Sequence, residues 1–302
     1  MGNAPTYAVN VEDEAAFSMD RICRLRHNFG SHPLMQLDRL EQLAHSLLPS
    51  GQCKFIRPGA AIDSEFSLDS KVPDGRDLGE VFRRLEEPGS WIALYNVETD
   101  PEYAAFVTEA LSAVKHLIDR QQPGLNNAQG FMFISAPPSV TPFHMDRENN
   151  FWLQLRGRKI MNVWEASDRV TVQAEAVENF VVHKSLEQVR FDAATQSRST
   201  EVDCGPGDGV YFPSTAPHMT RTERSWVRPG DGVSVSIGIV FYTKVTRRHA
   251  NVHAFNQVLR RFGLAPQPPG QSPAIDAVKY PLGRAVVAAR RLTRGYTPPT
   301  GF

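Results

Sequence analysis

The chain has 302 residues, with 33 Lys and Arg against 33 Asp and Glu and 41% hydrophobic residues. A formal charge of zero excludes an overall polycation or polyanion, and the apolar content is too high for a disordered chain and sufficient for one large or two modest cores. No run approaches the roughly 18 uninterrupted apolar residues of a membrane span, and Met1 to Glu14 has no basic stretch leading into an apolar one. A soluble, non-secreted protein without a membrane partner is expected. Cys23, Cys53 and Cys204 are odd in number, far apart and outside metal-type pairs, which predicts free thiols in a reducing compartment, the cytoplasm.

In chain order, Leu34, Leu37, Leu40, Leu43, Leu47 and Leu48 recur at helical spacing after Pro33 and predict a helix over 33–48 with a buried leucine stripe. A shorter helix is expected over 77–86, a strand over Trp91 to Tyr95 and a longer helix over 101–121. These elements read as scaffold. From Gly130 the texture changes to short apolar runs separated by Gly, Pro, Asn and Asp. Strands are expected over 131–135, 151–155, 159–164, 209–212 and 233–242, with Arg156-Gly157-Arg158 a tight turn between two of them. Many short strands with frequent turns predict an antiparallel sandwich or barrel. The polar segment 165–203 reads as a long insertion on the barrel rim, where substrate-shaping loops belong. Helices are expected again over 245–262 and 282–294, separated by a Pro-rich break at 265–273, and Ala254, Phe255, Val258, Leu259 and Phe262 form an apolar stripe on the first.

The chemistry concentrates in Ser139-Val140-Thr141-Pro142-Phe143-His144-Met145-Asp146. Residues two apart on a strand share a face, so His144 and Asp146 can offer an imidazole and a carboxylate to one metal ion. Such a pair arises readily by chance. A second segment raises its weight: Gly207-Asp208-Gly209 feeds the apolar Val210-Tyr211-Phe212, Pro213 ends it, and His218 follows where the chain re-enters the sheet. Two imidazoles and one carboxylate are the ligand set of the facial triad that holds ferrous iron and leaves three positions open. Between the two segments Lys159 starts an apolar strand; it is either a rim residue or a cation turned into the barrel, where it would demand an anionic partner. The remaining histidines, His27, His32, His45, His116, His183, His249 and His253, have no partner at ligand spacing. Gly205 to Gly209 lacks the Gly-Lys-Ser/Thr ending of a phosphate loop, so turn geometry explains it.

Over residues 130–243 these segments resemble the JmjC and cupin-like, 2-oxoglutarate-dependent Fe(II) oxygenases, most of all the asparaginyl hydroxylases acting on hypoxia-inducible factor. Val140 to Asp146 is similar to their first-ligand strand, including the Thr-Pro before the His, and the Gly-Asp turn with Pro213 and His218 is similar to their second motif. The resemblance implies a mainly β fold with flanking helices. Residues 1–125 would be an N-terminal α/β flank of the same domain, 126–243 a double-stranded β-helix (jelly-roll, cupin/JmjC-like) core, and 244–302 C-terminal helices that dimerise. It also implies Fe(II) on His144, Asp146 and His218, with 2-oxoglutarate anchored by Thr141 and Lys159 and assisted by Asn150, and dioxygen as the further co-substrate. Where those hydroxylases carry another co-substrate Asn, this chain has Gly238.

The activity implied is hydroxylation of an unactivated C–H, of a protein or peptide side chain ahead of N-methyl demethylation, with release of succinate and carbon dioxide. Two other readings stay open. One is a non-catalytic cupin-like binding module, with nucleic acid a less favoured partner than a second subunit. The other is a metal-dependent cupin dioxygenase acting on a small molecule without 2-oxoglutarate, against which Thr141 and Lys159 argue. The zero net charge is a cancellation: residues 244–302 hold ten Lys or Arg and only Asp276 as an acid, leaving 23 basic against 32 acidic side chains in 1–243.

Overall fold

The computed structural model describes residues 7–56, 59–72, 75–87, 91–226 and 232–302, apart from the side chain of Arg294. Twelve strands and six α-helices stand among them. The strands are β1 (Val9–Val11), β2 (Cys23–His27), β3 (Cys53–Phe55), β4 (Trp91–Leu94), β5 (Asn126–Ser135), β6 (Ser139–His144), β7 (Asn149–Arg156), β8 (Lys159–Val163), β9 (Thr200–Cys204), β10 (Asp208–Phe212), β11 (His218–Thr222) and β12 (Ser234–Tyr242). The helices are α1 (Leu37–Leu47), α2 (Leu78–Arg83), α3 (Pro101–Gln121), α4 (Ala174–His183), α5 (Lys244–Arg261) and α6 (Pro273–Arg294). An eight-stranded sheet runs β1-β2-β10-β7-β12-β5-β4-β3 and a four-stranded sheet β6-β11-β8-β9, with every pairing antiparallel. This is the expected mainly β double-stranded β-helix. Strands β1 and β2 of the N-terminal segment form one end of the large sheet and β3 and β4 the other.

Period-2 alternation decides which side chains the barrel encloses. On β7, Phe151, Leu153 and Leu155 join Ile237, Ile239 and Phe241 of β12 in a core covered by α1 and α3. Trp152 points the other way, into an inner core with Met161 and Val163 of β8, Val202 of β9 and Phe212 of β10. Strands buried on both faces read as continuous apolar runs, which is why β7 and β12 were legible. Helix α3 follows its prediction residue for residue: Pro101 occupies the first turn, Asp100 caps the Glu102 and Tyr103 amides, and Phe106, Val107, Ala110, Leu111, Val114, Leu117 and Ile118 form its buried face.

Three expectations change. The segment 165–203 is not a bare rim insertion: it holds α4 and β9, and Val177, Phe180 and Val181 seal the outer face of the small sheet with Phe143 and Trp164. Its apolar spacing is too short to stand out among the polar residues on either side. Helix α6 begins nine residues earlier than the expected 282, at Pro273, and continues through Pro281. Ser272 caps it, and buried Asp276, Lys279, Val287 and Arg290 hold it in place, outweighing the single internal bond a proline removes. Helix α5 turns its polar face inward: Asn251, His253, Asn256 and Gln257 are buried, whereas Ala254 is the one buried member of the apolar stripe and Phe262 is 78% exposed. Gly283 allows α6 this close, since a Cβ there would stand 1.9 Å from the Asn251 carbonyl oxygen.

Candidate metal and co-substrate site

Strand β6 is an edge of the small sheet, so Pro142 costs no ladder hydrogen bond. Thr141 and His144 are three apart and would face opposite sides of a regular strand. The register between β6 and β11 corrects this: Thr220 pairs with Thr141 and His218 with His144, so three steps on one strand oppose two on the other. This bulge sets Thr141, His144 and His218 on the inner face together. Asp146 lies just past the strand end, and the Thr215 amide donates to its carbonyl at 2.8 Å. Thr215 itself adopts a left-handed φ of 66°, a strained conformation for a β-branched residue, in the loop that leads to His218.

The nitrogen and oxygen ligand atoms of His144, Asp146 and His218 all lie within 4.8 Å of one another, and His218 Nε2 is 3.5 Å from Asp146 Oδ2. Both imidazoles are oriented from behind. His144 Nδ1 stands 2.7 Å from the Pro142 carbonyl and His218 Nδ1 3.0 Å from that of Ala216, so each Nδ1 carries the proton and each Nε2 keeps its lone pair for the centre. Burial pushes both imidazoles down to about 4, with His218 adding to the effect on His144, so both are neutral at pH 7. Burial also raises the Asp146 carboxyl, an effect opposed by His144 and by a hydrogen bond from the Asn150 side chain. Phe66 stacks on His144 with ring centroids 4.2 Å apart.

Every candidate residue read from the sequence meets in one pocket. Thr141, His144, Asp146, Asn150, Lys159 and His218 line it, joined by Tyr95, Phe131, Phe133, Trp152, Met161, Thr220 and Ser236. Lys159 is the inward cation and not the rim residue: it is 2% exposed, and among the described residues no carboxylate lies within ion-pair distance. Burial alone pushes its ammonium down to about 8. Thr141 accepts from the Thr220 hydroxyl at 2.9 Å. Asn150 Oδ1 and Ser236 Oγ are buried without partners. Ser236 was not foreseen, although a serine alternating with apolar residues in Ser234-Val235-Ser236-Ile237 carried the signal. Gly238 has a steric role: a Cβ there would stand 3.0 Å from Asn150 Oδ1, so the glycine makes room for the Asn150 amide on the adjacent strand. Trp226 lies outside the pocket, under the Arg158 guanidinium at 4.6 Å.

Residues 113–246 match the family model described as the JmjC domain. Over that stretch the chain is similar to a JmjC domain. No curated protein matches the sequence. Among solved structures, the ribosomal oxygenase YcfD of Escherichia coli in complex with cobalt and 2-oxoglutarate superposes with a TM-score of 0.50 at 15% identity, covering 96% of this chain and 69% of that one. A second YcfD structure gives 0.46 at 15% identity over 88% of this chain, which spans 62% of its length. The non-heme alpha-ketoglutarate-dependent carbocyclase SnoK of nogalamycin biosynthesis gives 0.44 at 12% identity, over 79% and 87%. At 15% identity the likeness to the cobalt and 2-oxoglutarate complex speaks for the fold alone.

The residues in this pocket fit the metal and the dicarboxylate co-substrate that the sequence resemblance implies. The two lone pairs and one carboxylate suit a divalent metal. An unpaired buried ammonium beside a threonine hydroxyl, with orphaned Asn150 and Ser236 oxygens nearby, suits an anion with hydrogen-bonding capacity. The cavity, about 40 Å³, leaves little room for intervening water.

Proposed function

We propose that this protein is a 2-oxoglutarate- and Fe(II)-dependent oxygenase that hydroxylates an unactivated C–H of a protein or peptide side chain. The observation that carries the reading is the convergence of the ligand triad with Lys159, a buried cation that has no carboxylate partner of its own among the described residues. His144, Asp146 and His218 would hold the iron. Lys159 and the Thr141 hydroxyl would anchor the distal carboxylate of 2-oxoglutarate, and Asn150 would assist while steadying Asp146. Iron bound there would supply dioxygen activation coupled to oxidative decarboxylation of 2-oxoglutarate to succinate and carbon dioxide. The chain's own residues keep the imidazoles neutral, neutralise one carboxylate of the diacid and exclude water with Tyr95, Phe131, Phe133 and Trp152.

A protein substrate is supported by the fold shared with YcfD, described as a ribosomal oxygenase, and by the Thr141-Pro142 resemblance to asparaginyl hydroxylases. Side-chain hydroxylation ranks ahead of demethylation. The free cysteines Cys23, Cys53 and Cys204 suit the cytoplasm, and no helix among the described residues is long and apolar enough to cross a membrane. For the C-terminal helices we propose self-association, because exposed Phe262, Leu264, Val278, Leu282 and Leu292 lie among basic side chains on α5 and α6 and the turn between them. The test of the activity is succinate release from 2-oxoglutarate with Fe(II) present. Its loss in His144→Ala and in Lys159→Met is expected, and release that needs neither iron nor His144 would overturn the assignment.

A further inference from the structure

A cavity of about 440 Å³ lies outside the barrel, between the outer side of the loops carrying Asp146 and His218 and helix α5 with the turn that follows it. It shares no lining residue with the barrel pocket. Its polar wall is rich in donors. Arg147, Arg169, His249 and His253 line it, with Asp20 as the one carboxylate, and Asp20 is already engaged by the Gln122 side-chain amide at 3.0 Å. Four buried nitrogens of these wall residues have no partner: Arg147 Nε, Asn149 Nδ2 and Arg169 Nε, all donors, and His253 Nδ1, which donates in one tautomer of the imidazole. Three of the residues that carry them are more than nine-tenths buried, with exposures of 6% for Arg147, 1% for Asn149 and 6% for His253. Buried donors are ordinarily paired, so four unpaired nitrogens on the residues of one wall leave that wall short of acceptors.

The charges point the same way. His253 feels His249, Arg169, Lys279 and Arg260, all basic. Acids around the wall offset part of this: Glu178 pairs with Arg260 at 2.8 Å and acts with Asp168 on Arg169, Glu148 acts on Arg147, and Asp276 and Asp20 act on His249. Among the lining residues themselves two guanidiniums stand against the one carboxylate of Asp20. The remaining wall, with Tyr242, Pro268 and Pro269, is apolar and can cover a carbon skeleton. The volume lies in the range of small-molecule sites.

We propose that this cavity is a second ligand site, which takes a small organic molecule bearing a carboxylate or phosphate group. The anionic group sits against the Arg147 and Arg169 guanidinium edges and the His253 and Asn149 donors, and the apolar part lies against the tyrosine and prolines. The site stands apart from the chemistry assigned to the barrel.

The test is calorimetric titration of the metal-free, full-length protein with three probes: inorganic phosphate, citrate and adenosine monophosphate. Either a phosphate or a carboxylate probe is expected to bind with a Kd below about 1 mM and to weaken with added KCl. The phosphate and carboxylate arms show which anion the wall prefers. Arg169→Gln, at a partly exposed position, should weaken binding about tenfold, as should His253→Gln. Lys159→Met, which alters only the barrel pocket, should leave it unchanged. Binding by none of the three probes, or binding lost in Lys159→Met but retained in Arg169→Gln, overturns the proposal.

Discussion

Replacing Lys159 by methionine should strengthen the ligand-free fold and weaken co-substrate binding. The Lys159 ammonium titrates at about 8 instead of 10.5 because burial strips its water and nothing compensates. At about 1.4 kcal/mol per unit, the charged form costs the ligand-free fold about 3 kcal/mol at pH 7. The sign follows from proton counts. Between pH 8 and 10.5 the unfolded chain still holds the proton that the folded chain has released, so wild-type stability rises with pH across that window. The penalty is complete below pH 8 and gone above 10.5. Methionine has similar length and no charge, so Lys159→Met should be more stable than wild type by up to about 3 kcal/mol at pH 7, with the difference vanishing near pH 10.5. With metal and 2-oxoglutarate present the order should reverse. Losing a charge-assisted hydrogen bond of about 1.5 to 3 kcal/mol weakens co-substrate binding roughly 10- to 150-fold. Urea unfolding at pH 7, 9 and 10.5, with and without 2-oxoglutarate and Mn(II), measures both effects. A methionine variant less stable than wild type at pH 7, or a difference independent of pH, would show that the ammonium already has a partner, and the reasoning would fail.

The other predictions concern separate parts of the structure. His144 and His218 are neutral in the fold and titrate at about 4, whereas unfolded histidine titrates near 6.5, so metal-free stability should fall as pH drops from 6.5 to 4, by up to about 3 kcal/mol for each. His218→Gln should flatten that slope in a pH series of thermal melts. Gly238→Ala places a methyl against the Asn150 amide, which should disturb its bond to Asp146 and lower metal affinity about tenfold by titration while the circular dichroism stays native. Leu292→Asp, at a position 88% exposed, should lower the mass seen in sedimentation without loss of stability if the C-terminal helices self-associate; an unchanged mass speaks against that interface.

How much could be read from the sequence differs by element, and the reason is locality. Helix α3 and strands β7, β8, β10 and β12 were legible because capping and hydrophobic period are written in consecutive residues. The ligands were legible through motif order, and Lys159 only as one of two alternatives, since alternation places it on a face without saying which face is enclosed. Strands β1 to β3, of three to five residues, owe their form to pairing with a sheet built largely from residues far along the chain, so no local signal marked them. Helix α4 was hidden for a similar reason, as its apolar face makes sense only against the small sheet.

The sequence by itself determined the donor types, their order and the strand periodicity that makes a barrel of this part of the chain. The tertiary structure decided the rest. A bulge between β6 and β11 turned Thr141, His144 and His218 to one side, and Gly238 left space for Asn150 on the neighbouring strand. Helix α5 buried its polar face, placing His249 and His253, each without a ligand partner in sequence, on the wall of a cavity with Arg147 and Arg169. Burial and neighbouring charge are properties of packing between distant segments, so the chemistry of a buried cation or an unpaired donor appears only once the chain has folded.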